Sequence, residues 1–232
     1  SKTLIEATEA LENIMVKKTF GESGSEVVIE EFMEGSEISI HVFSDGSKNN
    51  LNYKIFPSSQ DHKKIGKGDT GLNTGGMGVI GPLPFVSQEM MQRIEKKIVA
   101  PTLQAMRNDG TPFEGILYPG LMLTKDGPKI LEYNARFGDP ECQAYMRLLD
   151  SDLLEILNAC VDGKLNEIEI KWKKLFACNI ALASGGYPRS YEKGKEIFGI
   201  EEAEKNSDIV VFHAGTKIVR QGLTTNGGRV LG

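Results

Sequence analysis

Cysteine is scarce in this chain of 232 residues: three, at Cys142, Cys160 and Cys178. The number is odd and no pair has metal-type spacing, so neither a fully paired disulfide framework nor a cysteine-rich zinc site is expected. A reducing compartment, the cytoplasm, suits free thiols. Histidine is as sparse, with His41, His62 and His213 far apart. An excess of positive charge is also missing. Lys and Arg number 27 against 32 Asp and Glu, a net charge of −5. That balance speaks against a nucleic-acid binder or a polybasic membrane binder. No apolar run approaches the roughly 20 residues of a membrane helix. The first residues do not read as a secretory leader, and repeats and low-complexity tracts are lacking. What is left is an ordinary globular composition, long enough for one or two domains.

Leu4, Ala7, Leu11, Ile14 and Met15 recur at helical spacing and predict an amphipathic helix. Strands are expected at Glu26–Phe32, at Glu37–Phe43, where Ile38, Ile40 and Val42 alternate with polar residues, and at Leu51–Phe56. Pro57–Pro84 is polar and aperiodic; a loop that long inside a compact domain is functional or disordered. Helical spacing returns over 88–108. Glu114–Leu123 and Pro128–Tyr133 read as a β-hairpin around Lys125-Asp126-Gly127. A helix is expected over Asp152–Val161. Composition shifts around Leu165–Lys174, and β-like runs follow at Phe176–Ala183, Ile209–His213 and Thr216–Val219. The expected class is α+β. Residues 1–170 form a domain with an antiparallel sheet and flanking helices, and 171–232 a smaller, mostly β module.

One stretch carries chemistry: Leu131-Glu132-Tyr133-Asn134-Ala135-Arg136-Phe137-Gly138-Asp139-Pro140-Glu141. It closes an apolar, strand-like run, so Glu132, Asn134 and Arg136 fall on one face. A carboxylate, an amide oxygen and a guanidinium side by side suit a magnesium ion holding a nucleotide polyphosphate. Alternating polar residues also occur on plain solvated strands. Here Asp139 and Glu141 bring two more carboxylates to the same spot.

Two other segments fit such a ligand. Gln60–Lys64 precedes Gly66, Gly68 and Gly71, then Asn73-Thr74-Gly75-Gly76-Met77-Gly78. Glycines let the backbone approach phosphates, and Lys63, Lys64 and Lys67 add positive charge. The spacing is neither Walker A nor the Rossmann fingerprint. Upstream, Val27–Glu37 joins two expected strands by a short acidic link. Backbone groups there can pair with an adenine edge, Phe32 and Met33 can cover the base, and Glu37 can accept from ribose hydroxyls. A simple polar turn is the plain alternative.

Strand, acidic hinge, strand, phosphate loop and Glu-x-Asn-x-Arg occur in the order of ATP-grasp ligases. Within these, the chain resembles the glycinamide ribonucleotide synthetases (phosphoribosylamine–glycine ligases). The resemblance rests on Gln60–Lys64, Gly68–Gly71, Asn73–Gly78, Gly115–Leu123, Phe212–Thr216 and above all Arg136–Glu141. It implies an ATP-grasp fold and Glu30, Glu31, Phe32 and Met33 as the adenine hinge. It also implies Glu37 on the ribose, Lys64 and Asn73 on the nucleotide, and Glu132 and Asn134 as ligands of magnesium (or manganese). Arg136 would stabilise the transferring phosphoryl group, and Asp139 and Glu141 would orient a substrate. The implied substrates are ATP, glycine and 5-phosphoribosylamine, joined through glycyl phosphate in purine biosynthesis.

The family also has an N-terminal domain and a lysine- and glycine-rich strand–loop that this sequence lacks, and the C-terminal module stops early at Gly232. The expectation is a segment of a longer enzyme, inactive alone, whose parent in some organisms is fused to other purine-synthesis domains. Two alternatives stay open at this point: another ATP-grasp carboxylate–amine ligase or carboxylase, and a nucleotide-binding module without chemistry.

Overall fold

The computed structural model describes residues 3–47, 49–220 and 222–232. The Thr3 hydroxyl accepts from the Glu6 N–H at 3.2 Å and caps α1 (Leu4–Leu11), which runs on into a π-helical turn at Glu12–Val16. The expected helix is present, but none of its residues is fully buried; Leu4 is 84% exposed, while Ala7, Leu11 and Ile14 are half-buried. The strand expected at Glu26–Phe32 does not form. Residues 26–34 join no sheet among the described residues, and Val28 is 86% exposed. β-branched residues favour a strand when neighbours take up their backbone groups and side chains, and no described strand pairs with these.

Three strands follow: β1 (Ser36–Ser39), β2 (Val42–Asp45) and β3 (Tyr53–Ile55). The Pro57–Pro84 stretch is not an open loop. It holds β4 (Gln60–Asp61), β5 (Lys64–Gly66), β6 (Thr70–Asn73) and β7 (Gly78–Gly81), each too short for a period of two to register. The Ser87 hydroxyl accepts from the Met90 N–H and starts α2 (Gln88–Ile94), which continues through a π-helical turn into α3 (Ala100–Asn108). The expected hairpin is β8 (Glu114–Thr124) with β9 (Gly127–Asn134).

Helix α4 (Glu141–Leu148) was not expected; α5 (Leu153–Val161) was, and the Asp152 carboxylate caps it. The last part is mostly strand: β10 (Ala177–Ile180), β11 (Leu182–Ala183), β12 (Glu196–Ile197), a short α6 (Ile200–Ala203), β13 (Thr216–Val219), β14 (Gly222–Thr225) and β15 (Arg229–Leu231). The run Ile209–His213 is not a strand. His213 makes a single bridge to Leu231, and the Val211 N–H goes to the Glu204 carboxylate at 3.0 Å instead of a ladder.

The main sheet has the order β1-β8-β2-β3, with β9 on the other edge of β8, all antiparallel. β1 and β2 pair with β8 in one register: Ser39 opposes Gly120 and Val42 opposes Leu117. The gap between them faces Pro119, which has no N–H to donate. Both faces of the sheet are covered. Ile38, Ile40, Val42, Leu117 and Leu121 pack with Ile94, Ile98, Val99 and Leu103. Phe43 and Ile116 point the other way, into a cluster with Phe56, Tyr145, Ile156 and Cys160. Alternation thus separates two buried faces, and Ser39 and His41 go to the interior rather than to water.

A smaller sheet, β10-β7-β4, joins the C-terminal strands to the segment before α2. β5 and β6 form a separate two-stranded hairpin that turns at Gly68-Asp69, both at positive φ.

Candidate functional site

A cleft of about 620 Å³ lies between the β5–β6 hairpin and the β1, β8 and β9 strands. Its wall includes Glu37, Asp61, Lys63, Lys64, Asn73 and Glu132. The volume is in the range of small-molecule sites. Segments far apart in sequence meet here for local reasons. Hairpin pairing sets Lys64 directly opposite Asn73. β1 pairing sets Glu37 opposite Met122, which also lines the cleft. A register shift after Gly120 places Leu131 and Glu132 together in the wall. Gly120 has a reason to lack a side chain: a Cβ there would stand 3.3 Å from the Glu132 Cγ lying across it.

Glu132, Asn134 and Arg136 are brought together as expected. Asn134 Nδ2 donates to Glu132 Oε1 at 3.1 Å, and Arg136 Nη2 donates to Asn134 Oδ1 at 3.3 Å. Arg136 Nη1 also donates to the Phe137 carbonyl at 2.8 Å, which pins the guanidinium where the chain leaves β9. Glu37 is held by the Lys63 ammonium. Burial opposes the charge on Lys63, but its hydrogen bond to Glu37, with Asp61 and Glu132 nearby, wins and raises its pKa. None of Glu30, Glu31, Phe32 and Met33 lines the cleft. Glu31 pairs with Lys129 at 2.6 Å on the neighbouring β9, and Phe32 is largely exposed.

Asp139 and Glu141 are not free in the cleft. Asp139 is gripped by Arg229 of β15, with Nη2 to Oδ2 at 3.0 Å. The same guanidinium donates to the Asp139 and Gly75 carbonyls at 3.0 and 2.8 Å. One side chain from the C-terminal strands thus ties the glycine-rich segment to the Gly-Asp-Pro-Glu turn. The Tyr187 hydroxyl supports it, accepting from the Gly75 N–H at 3.0 Å. Glu141 is 2% exposed, and its Oε1 accepts from the hydroxyls of Ser39 and Tyr118 at 2.7 and 2.6 Å.

Under that turn lies a buried polar network that motif reasoning missed. The Gly138 N–H donates to His41 Nε2 at 2.9 Å. This leaves the imidazole proton on Nδ1, 3.2 Å from the Tyr145 hydroxyl, which is 2.8 Å from Ser59 Oγ. His41 stacks on Tyr118 with centroids 4.1 Å apart. Burial, aided by the nearby Arg136 charge, lowers the His41 pKa from 6.5 to about 3, so the ring stays neutral. A polar alternation on β1–β2 was the visible signal for Ser39 and His41. The signal for α4 was Ala144, Tyr145 and Leu148 on one helical face. Asp61 was visible in its motif but not singled out, and Arg229 had no signal.

The family model for the ATP-grasp (A) domain of phosphoribosylglycinamide synthetase matches residues 1–142, and that for its C domain matches 177–232. The chain belongs to the phosphoribosylglycinamide synthetase family. Phosphoribosylamine–glycine ligase of Brucella melitensis is 46% identical over 229 residues, covering 99% of this chain and 52% of the relative. A bifunctional purine biosynthetic protein of Schizosaccharomyces pombe is 48% identical over 230 residues, 99% of this chain and 28% of its own. The crystal structure of phosphoribosylamine–glycine ligase from Thermotoga maritima superposes with a TM-score of 0.76 at 36% identity, covering 96% of this chain and 55% of that one. The biotin carboxylase domain of Hydrogenobacter thermophilus 2-oxoglutarate carboxylase, solved with magnesium ADP, shares the fold at a TM-score of 0.59 and 14% identity over 95% of this chain. The fold of this family member is therefore an α+β ATP-grasp, and the chain spans about half the length of the curated ligases it matches.

Proposed function

We propose that this chain contributes the nucleotide and metal face of a phosphoribosylamine–glycine ligase, which joins glycine to 5-phosphoribosylamine through glycyl phosphate with ATP as the phosphoryl donor. The observation that carries the reading is the hydrogen-bonded Glu132–Asn134–Arg136 series, whose Glu132 lines a cleft shared with Lys63, Lys64 and Asn73.

The donor set fits a magnesium or manganese ion. Glu132 and Asn134 offer two hard oxygens, and no group of three His, Cys, Asp or Glu that could hold a metal occurs among the described residues. A metal at Glu132 and Asn134 would complete its shell with phosphate oxygens and water, as magnesium in nucleotide sites does. When bound it supplies charge neutralisation for the polyphosphate. The protein's own work is positioning. Lys64 and Asn73 face the ligand from the hairpin, Arg136 sits where phosphoryl charge develops, and Arg229 holds the glycine-rich segment. Glu37 exchanges its contact with Lys63 for the ribose, and Glu30–Met33 close on the adenine. Asp139 and Glu141 act by shaping the turn beside Arg136.

The test is calorimetric titration of ATP into the chain with and without magnesium, together with glycine-dependent ADP formation by the full-length protein that contains it. Magnesium-linked binding that disappears in Glu132→Ala is the expected result. Binding indifferent to magnesium and to Glu132, or ADP formation that follows bicarbonate rather than glycine, overturns the proposal.

A further inference from the structure

Amide formation from an acyl phosphate needs a group that takes a proton from the attacking amine. Among the carboxylates around the cleft and the turn beside it, most are already engaged. Glu37 holds Lys63, Glu132 receives Asn134, Asp139 is locked to Arg229, and Glu141 faces inward to Ser39 and Tyr118. Asp69 also lines the cleft, but it stands exposed in the turn of the β5–β6 hairpin. Asp61 differs. It lines the cleft on β4, yet its Oδ1 is buried with no hydrogen-bond partner among the described residues. Its backing is tight: at Gly76, with φ +114°, an added Cβ would lie 2.7 Å from Asp61 Oδ1 and 2.5 Å from Pro140 Cδ. Gly76 thus lies close against both the Asp61 carboxyl and Pro140 of the Gly-Asp-Pro-Glu turn.

We infer that Asp61 is the catalytic carboxylate that accepts the proton of the primary amine substrate during amide formation; this rests on the ligase reading above. The amine nitrogen forms a bond to the carbonyl carbon of the acyl phosphate. The proton released from nitrogen moves to Asp61. The carbon–oxygen bond to phosphate breaks, and phosphate leaves with its electron pair. Asp61 passes the proton on, so the product is hydrogen phosphate and Asp61 is again a carboxylate. Its surroundings suit that exchange. Burial comes first, then the Glu141 carboxylate; with Glu37 these raise its pKa from 3.8 to about 7 against the opposing charges of Lys63 and Arg229. A group near neutrality both takes and returns a proton efficiently.

The experiment uses the full-length protein that contains this chain, in wild-type form and as Asp61→Asn. Hydroxylamine traps an acyl phosphate as the hydroxamate and so reads the first half of the reaction without the amine substrate. Asp61→Asn is expected to keep glycine-dependent hydroxamate formation and to slow amide formation by about 100-fold or more. The acid limb near pH 7 in the wild-type amide-forming rate is lost with it. A carbon-13 titration of the Asp61 carboxyl in nucleotide-free protein is expected to give a midpoint near 7. Removing a buried charge favours folding, so the variant is expected to melt no lower than wild type. Equal loss of hydroxamate and amide assigns Asp61 to the phosphoryl step and overturns the inference, as does full retention of both or a carboxyl midpoint near 4. Wild-type protein that forms no hydroxamate with glycine takes down the ligase reading itself, a result distinct from any effect of Asp61.

Discussion

Replacing His41 by Phe tests the buried network under the Gly-Asp-Pro-Glu turn. In the native state the ring is neutral, with its pKa lowered from 6.5 to about 3. The unfolded chain binds a proton below pH 6.5 that the native state refuses until about pH 3. The neutral ring therefore adds stability that is fully present above pH 6.5 and lost as pH falls toward 3. At 1.36 kcal/mol per unit, the whole interval is worth about 5 kcal/mol, and about 2 kcal/mol of it is gone by pH 5. Asp61 works in the opposite sense. Its raised pKa means that the native state holds an extra proton between pH 3.8 and about 7, so its contribution favours folding as pH drops. The wild-type pH profile mixes both. The difference between wild type and His41→Phe isolates the imidazole, because Asp61 is common to both. Urea unfolding at pH 8 and pH 5 is the assay. The variant is less stable at pH 8, since it leaves the buried Gly138 N–H without its acceptor, at a cost of about 1–3 kcal/mol. The gap between the proteins should then shrink by about 2 kcal/mol at pH 5. A gap that is constant with pH, or that widens on acidification, refutes a buried neutral His41.

Arg229→Ala should cost about 1–3 kcal/mol in urea unfolding and weaken nucleotide binding, because both the glycine-rich segment and Asp139 lose their anchor. Arg229→Lys should fail to restore binding, since one ammonium cannot serve the same fork of acceptors; unchanged nucleotide affinity in both would break the proposed coupling. Gly76→Ala should destabilise by on the order of 2 kcal/mol, from its positive φ and the crowding against Asp61 and Pro140. A neutral result in thermal melts would mean that this segment packs more loosely than the Gly76–Pro140 approach requires.

Much of the candidate site was legible in the sequence. Period two on β9 put Glu132 and Asn134 on one face, and strand alternation, the Lys125-Asp126-Gly127 turn and helical spacing located β8, β9, α2, α3 and α5. These are local properties, set by backbone geometry and side-chain periodicity along one segment. Other expectations needed a partner to come true. Val27–Phe32 has strand composition, but strands are pairs, and nothing in one segment states whether a neighbour is there to complete the ladder. The four short strands of 57–84 were invisible because pairing, not pattern, defines them.

The amino-acid sequence by itself determined the kinds of groups available: hard oxygens, a guanidinium, lysines and glycines in the order of an ATP-grasp enzyme. Tertiary structure alone decided which of those groups are free. It committed Glu37 to Lys63 and Asp139 to Arg229, turned Glu141 and His41 inward, and left Asp61 Oδ1 without a partner among the described residues. The physical reason is that hydrogen bonding and desolvation depend on distances across the fold, which residues such as Asp61 and Arg229 acquire only when β4, β7 and β15 come together.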